Sequence, residues 1–331
     1  MKTKVLLLVV LVSTLIVHAS GAASEELRNA YKYGAEAKLV YQVVDDECKP
    51  VCEATAHVWF RSYGREQDNA DWVVRTDSNG VFVVAHRLNE KFSCIVYKVG
   101  YYQSRDERSY FDMKANMVRD GRWQPYGESR KLVLKRIKDP YAVKVLSGEQ
   151  CHRKIPAFGN WVSFDMERFD WLPPHGNGIH EDVLLRFDKT TSGKWHEFSY
   201  SMEACFTNNP YAGVYCRSMD KHSDLSSDYF ADTNASYCSK YAFSVVSAPG
   251  SAVERKGLER NSYLVFRTRT KIDENGALVA AHYGKICGSW RSDGTEMHLG
   301  GGCFNPIEND ANIEGDQSLF YAIKNYKSKE D

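Results

Sequence analysis

Ala54-Thr55-Ala56-His57-Val58-Trp59-Phe60 is the stretch on which the fold turns. Successive side chains of an extended strand point to opposite sides, so Ala54, Ala56, Val58 and Phe60 share one face and mark a half-buried strand. Upstream, Lys38-Leu39-Val40-Tyr41-Gln42-Val43-Val44 is a run of β-formers that ends in the acidic turn Asp45-Asp46-Glu47. Downstream, Ser78-Asn79-Gly80 is a hairpin signal, with a glycine available for positive φ, and Val81-Phe82-Val83-Val84 returns from it. Phe92 to Tyr102 is rich in β-branched and aromatic residues, and Leu132-Val133-Leu134-Lys135 closes the series. Between the last two runs, residues 103–130 break the pattern with Arg105-Asp106-Glu107-Arg108, Asp120-Gly121 and Gln124-Pro125-Tyr126-Gly127, and read as a long excursion.

The second half reads as β again. Val183-Leu184-Leu185-Arg186-Phe187 and Phe198-Ser199-Tyr200 are strand-like, and Tyr263 to Thr270 alternates into the turn Asp273-Glu274-Asn275-Gly276. Ala277 to Tyr283 then runs back. A helical stripe is visible only around Glu25–Lys32, and no internal repeat appears. The expected architecture is all-β in two domains: a β-sandwich over 24–138 and a second β-rich domain, sandwich or jelly-roll-like, over 157–331. Asp139-Pro140, Ser147-Gly148 and Pro156 punctuate a connector over 139–156.

Residues 1–23 have the form of a secretory signal. Lys2 and Lys4 supply its positive end, Val5–Val17 an apolar stretch too short to span a bilayer comfortably, and Ser20-Gly21-Ala22-Ala23 small residues for cleavage. The expected location is therefore secreted or periplasmic. No later stretch is long and apolar enough for a membrane helix. The charge balance, 43 basic against 43 acidic residues, removes the electrostatic case for nucleic acid.

The order of runs in the first half resembles the carboxypeptidase regulatory-like domain, a small prealbumin-type (transthyretin-like) β-sandwich that accompanies other modules in secreted proteins without being catalytic. Phe164-Asp165, Asp170-Trp171-Leu172-Pro173-Pro174, Gly176-Asn177-Gly178 and Asp182 resemble a stretch that follows this sandwich in uncharacterised secreted bacterial proteins. Tyr283-Gly284-Lys285-Ile286, Phe304-Asn305-Pro306 and Asn309 to Glu314 are similar to the same group. The resemblance implies a fold and a compartment, and brings no activity with it.

Motifs of the obvious partner enzymes are missing. No histidine is followed by Glu three residues later, His-Glu-x-x-His is absent, and so is Gly-x-Ser-x-Gly. His175-Gly176-Asn177-Gly178-Ile179-His180-Glu181-Asp182 is the densest polar cluster and reads first as a turn entering the strand at Val183. No motif demands a cofactor. Calcium is the one ion that a loop would suit, through Asp310, Asn312, Glu314 and Asp316, although Tyr321 stands where the bidentate Glu of such a loop belongs.

Nine cysteines in an exported chain point to disulfides. Cys205 and Cys216 lie symmetrically about Asn208-Asn209-Pro210-Tyr211-Ala212-Gly213, as across a hairpin. The resemblance to the prealbumin-type sandwich, in which the second strand neighbours the one carrying Cys94, implies Cys52–Cys94 as the second pairing, with Cys48 competing for Cys52. The chain also carries 7 Trp and 20 Tyr, a surplus suited to stacking on sugar rings. Trp123 and Trp171, beside Asp120-Gly121 and Pro173-Pro174, are the leading platform candidates, with Trp195 and Trp290 behind them.

The favoured reading is an exported, non-enzymatic binding or structural module whose partner is a glycan or an envelope protein. The alternative is a secreted, glycan-directed hydrolase with a carboxylate site in the second domain, for which Asp165 with Asp170, or Glu181 with Asp182, are the available pairs.

Overall fold

A computed structural model describes residues 25–110, 117–140, 143–146, 148–194, 197–206, 210–257, 261–288 and 290–315. The signal-like residues 1–23 lie outside these. The chain is all-β, built from several sheets, and divides into two compact units, Met1–Arg136 and Ile137–Asp331.

In the first unit a helix over 25–33 precedes strands β1 (Ala35–Asp45), β2 (Thr55–Arg61), β3 (Ala70–Arg75), β4 (Val81–Leu88), β5 (Lys91–Tyr97), β6 (Ser104–Ser109), β7 (Met117–Arg119), β8 (Arg122–Gln124) and β9 (Glu128–Leu134). One sheet centres on β1, which pairs antiparallel with β4 and parallel with β9, and meets the β8–β7 hairpin through Glu36. The other has the order β3-β2-β5-β6. Their inner faces share one core, to which β1 gives Leu39, Tyr41 and Val43, β2 gives Ala56, Val58 and Phe60, and β5 gives Phe92, Cys94 and Val96. Tyr41 stacks on Phe82 at 4.9 Å, and Phe60 meets Phe92 edge-on at 5.4 Å. This is a β-sandwich.

The excursion expected over 103–130 is largely strand. β6 packs inward by hydrogen bonds instead of apolar contacts: Ser104 Oγ donates to the Val133 carbonyl at 2.6 Å, and Asp106 accepts from Tyr41 Oη at 2.7 Å and pairs with Arg130 at 2.6 Å. Hydrophobic alternation is blind to a strand whose buried side chains are Ser and Asp.

The second unit contains β10 (Lys144–Leu146), β11 (His152–Lys154), β12 (Trp161–Asp165), β13 (Asp170–Trp171), β14 (Val183–Thr191), β15 (Phe198–Cys205), β16 (Gly213–Ser218), β17 (Lys240–Ser247), β18 (Glu254–Lys256), β19 (Ser262–Ile272), β20 (Leu278–Cys287), β21 (Trp290–Ser292), β22 (Glu296–Leu299) and β23 (Gly302–Phe304). They form sheets of order β13-β12-β14-β15-β17-β18, β10-β23-β20-β19-β16 and β11-β22-β21. One core gathers Phe164, Leu185, Phe187 and Met202 from the first, Phe266, Ile286 and Phe304 from the second, and Met297 and Leu299 from the third. The β19–β20 turn is as the sequence suggests, with Asp273 Oδ1 accepting from the backbone N–H groups of Asn275 and Ala277.

The stretch 139–156 is not a plain connector. It supplies β10 and β11, which pair with β23 and β22. Strands of three residues are too short to register as a hydrophobic period, and their partners lie more than a hundred residues away in sequence.

Asp165, Asp182 and Arg269 build a polar brace in the second unit. Asp165 and Asp182 are both fully buried. Asp165 accepts backbone N–H bonds from Glu167, Arg168, Ile179 and His180, and Asp182 accepts one from Met166. The Arg269 guanidinium reaches Asp182 at 3.0 Å, Asp165 at 3.3 Å and Glu167 at 2.6 Å. Gly176 is required by close approach, since a Cβ there would stand 2.5 Å from the Trp171 carbonyl oxygen.

Candidate functional site

The tryptophans nominated as exposed platforms are core residues. Trp123 is 1% exposed; its indole N–H donates to the Leu88 carbonyl at 2.8 Å, and its ring lies 5.0 Å from Tyr110. Trp171 is 3% exposed, donates to the Lys154 carbonyl at 3.0 Å and meets Phe164 edge-on at 4.9 Å. Trp290 is buried as well, and Trp195 lies outside the described residues. A neighbouring turn fixes where the backbone reverses, not which way the side chain points, and a ring this large goes to the core whenever its N–H finds an acceptor there.

The calcium-like loop is spent on internal bonds. Glu314 is buried, and its two oxygens accept from the backbone N–H groups of Lys138 at 2.7 Å and Asp139 at 2.6 Å. Asn312 donates to the Asp139 carbonyl and accepts from the Glu314 N–H, while Asp310 Oδ1 accepts from the Asn312 N–H. Asp316 and Tyr321 lie outside the described residues. The loop clamps the start of the second unit, and its oxygens face backbone donors where an ion would need them free.

Neither expected disulfide is formed; Cys205, Cys216, Cys52 and Cys94 are free thiols. Cys205 and Cys216 sit in different sheets, opposite Leu184 and Leu264 respectively, so the turn sequence between them joins two sheets instead of closing a hairpin. Cys94 faces the core of the first unit, where burial first and then the Asp106 charge push its thiol up to about 12, whereas Cys52 is exposed.

The carboxylate pairs considered for hydrolysis are also held. Asp165 and Asp182 belong to the Arg269 brace, Asp170 accepts from the Asn177 N–H at 3.0 Å, and Glu181 accepts from Ser163 Oγ at 2.5 Å.

What the sandwich does expose is the outer side of the strand that decided the fold. With Ala56, Val58 and Phe60 turned inward, Thr55, His57, Trp59 and Arg61 face out. On β5 the alternation Phe92, Cys94, Val96 inward leaves Ser93, Ile95 and Tyr97 on the same outer face. The register sets Thr55 against Tyr97, His57 against Ile95 and Trp59 against Ser93. The imidazole of His57 thus lies between two larger rings, 6.1 Å from Trp59 and 5.5 Å from Tyr97, tilted by 38° and 37°. His57 Nε2 is 3.1 Å from Tyr97 Oη.

Beside the rings, β3 adds Val73, 63% exposed and opposite His57. Charged pairs frame the face: Arg61 with Asp71 at 2.5 Å, Arg75 with Glu53 at 3.2 Å and Lys91 with Glu107 at 2.9 Å. The result is a row of three half-buried rings with polar edges, on a sheet whose other side is packed core. Such a surface offers apolar ring area and hydrogen-bonding atoms together, the combination that an amphipathic ring with apolar C–H faces and a hydroxyl rim requires. In the sequence the alternation marks the core face. The same period places His57 and Trp59 opposite the core, and only the β5 register adds Tyr97.

No protein-family model matches this sequence, and comparison with curated proteins finds no match. Among solved structures it is similar to 3-chlorocatechol 1,2-dioxygenase from Rhodococcus opacus 1CP at 13% identity and a TM-score of 0.25, over 31% of this chain and 61% of that one. Hydroxyquinol 1,2-dioxygenase from Pseudomonas putida DLL-E4 is matched at 14% identity and a TM-score of 0.24, over 31% and 57%. The chain therefore spans less than two thirds of these proteins, and a likeness this slight carries no functional argument.

Proposed function

We propose that this chain is an exported, non-enzymatic binding module that takes a polymeric glycan on the Trp59–His57–Tyr97 face of its first unit. One observation carries the reading: His57 stands between the rings of Trp59 and Tyr97 on the solvent side of a sheet whose opposite side is core. The signal-like residues 1–23 and the resemblance to a non-catalytic secreted sandwich support the compartment and the absence of chemistry.

The energetics favour a polymer over a single sugar. A stacking contact contributes on the order of 1 kcal/mol, so three on an open face give roughly 3–4 kcal/mol. That corresponds to a dissociation constant in the millimolar range or weaker. Repeated contacts along one strand of glycan raise the effective affinity without any deepening of the site. The hydrolase alternative has no comparable observation behind it, since Asp165 and Asp182 are buried in the Arg269 brace and each candidate pair includes one of them.

Co-sedimentation of the purified protein with insoluble polysaccharides (peptidoglycan, chitin and cellulose) tests the reading. Retention by at least one polymer, lost on replacing Trp59 and Tyr97, supports it; retention that ignores both substitutions overturns it.

A further inference from the structure

A second constellation lies in the second unit, on the short sheet β11-β22-β21. His152 and His298 stand directly opposite each other in the β11–β22 register, and Glu296 precedes His298 by two residues. Met297 and Leu299 turn into the core, so the alternation sends Glu296 and His298 outward together. One ligand atom from each of His152, Glu296 and His298 lies within 4.8 Å of the other two. His152 Nδ1 is 3.0 Å from His298 Nδ1 and 3.7 Å from Glu296 Oε2.

Two features make this more than a chance meeting of polar groups. The first is spacing: two imidazole nitrogens bound to one zinc ion at about 2.1 Å each stand roughly 3–3.4 Å apart, which is the separation found here. The second is an outer carboxylate. Asp293 Oδ2 lies 2.7 Å from His298 Nε2, while Asp293 Oδ1 accepts from the backbone N–H groups of Thr295 and Glu296 at 2.8 Å each. A carboxylate fixed by its own turn favours the tautomer with the proton on His298 Nε2, in which Nδ1, 3.0 Å from His152 Nδ1, is the ligand atom. Metal-bound histidines are oriented in this way. His152 is half exposed, so an ion reaches the site directly from solvent.

We propose that His152, Glu296 and His298 bind one divalent transition-metal ion of the zinc class, with Asp293 as the positioning residue for His298. Two nitrogens and one carboxylate suit zinc, cobalt or nickel over calcium or magnesium, which prefer all-oxygen sites. With three protein ligands, at least one coordination position is left to water or to a group from a partner. The site ties β11 to β22, and so pins the segment that enters the second unit.

The test uses the full-length protein stripped with chelator and titrated with Zn²⁺ by calorimetry and with Co²⁺ by visible absorption. One ion per chain is expected, with Co²⁺ ligand-field bands and no thiolate charge-transfer band, because the ligands are nitrogen and oxygen. His298→Ala should abolish this binding and Asp293→Asn should weaken it about 10–100-fold. His298 is only 13% exposed and Asp293 lies in the turn before β22, so thermal melts of the metal-free variants accompany the titrations and separate ligand loss from unfolding. His152→Gln gives a second, milder ligand deletion. Absence of binding overturns the proposal, and so does Zn²⁺ or Co²⁺ binding that survives His298→Ala or carries a thiolate band.

Discussion

Replacing Arg269 with Met tests the polar brace of the second unit. The guanidinium makes two 3.0 Å contacts to Asp182 and one of 3.3 Å to Asp165, and both carboxylates have no solvent exposure. Its own backbone takes φ of 49°, at the irregularity in the β19–β20 ladder, and the group also lies 4.7 Å from the Phe304 ring. Methionine keeps most of the aliphatic stem and removes the charge, which leaves two buried carboxylates with N–H and hydroxyl donors but without their guanidinium counter-charge. Breaking a buried pair in this way costs about 3–5 kcal/mol. For a unit of this size that is a fall of roughly 6–20 °C in melting temperature.

The pH dependence follows from Asp165. Burial alone would raise its carboxyl, but the backbone N–H groups of Arg168, Ile179 and His180, and then Arg269, hold it below the ordinary carboxylate range. A lowered folded value means stability that is full above an unfolded pKa of about 4 and is lost as pH falls through the folded value. Without Arg269 the Asp165 carboxyl loses part of what holds it low, so the variant has less stability to lose in acid than wild type has. Calorimetric melts between pH 7 and 3 should show the gap between the two narrowing, and hydrogen exchange should place the loss in 137–315. A gap under about 1 kcal/mol at pH 7, or one that widens in acid, refutes the reasoning.

Trp123→Ala and Trp171→Ala should each cost about 3–5 kcal/mol in denaturant unfolding, as expected for an emptied core site. A change below about 1 kcal/mol in either would contradict the burial assigned to it. Iodoacetamide at pH 8 should label the exposed Cys48, Cys52 and Cys216 and spare Cys94, whose thiol at about 12 is ionised in roughly one molecule in ten thousand even before access is considered. Peptide mapping that finds Cys94 labelled as fast as Cys52 would count against this. Glu314→Gln keeps the shape and replaces one acceptor by a donor facing a backbone N–H, at a cost of about 1–3 kcal/mol. Adding Ca²⁺ to wild type should leave the melting temperature unchanged, and a clear rise would restore the loop as an ion site.

Local alternation made the sandwich legible. Thr55 to Phe60 and Val81 to Val84 are strands, as their patterns suggest, and Tyr263 to Tyr283 forms the expected hairpin. What escaped was whatever depends on partners distant in the chain. β6 is buried through Ser104 and Asp106, which look like loop residues until Val133, Tyr41 and Arg130 supply their bonds. β10 and β11 are too short to show a period before β23 and β22 arrive. The same distinction runs through the site residues. The turns beside Trp123 and Trp171 say nothing of their carbonyl acceptors, on Leu88 and Lys154, which are 35 and 17 residues away in sequence. His57 and Trp59 were within reach of the period-2 argument, whereas Tyr97, and the pairing of His152 with His298, required a register that only the folded chain provides.

The most direct test of the proposed function is a binding isotherm against the polysaccharide that retains the protein, measured for wild type and for the Trp59→Thr/Tyr97→Thr double variant. Threonine preserves strand propensity on an outward position, so the melting temperature should stay within a few degrees of wild type. Losing two stacking contacts, at about 1 kcal/mol each, predicts a roughly 30-fold weaker association per engaged site. Equal binding by the folded double variant would contradict the assignment of this face.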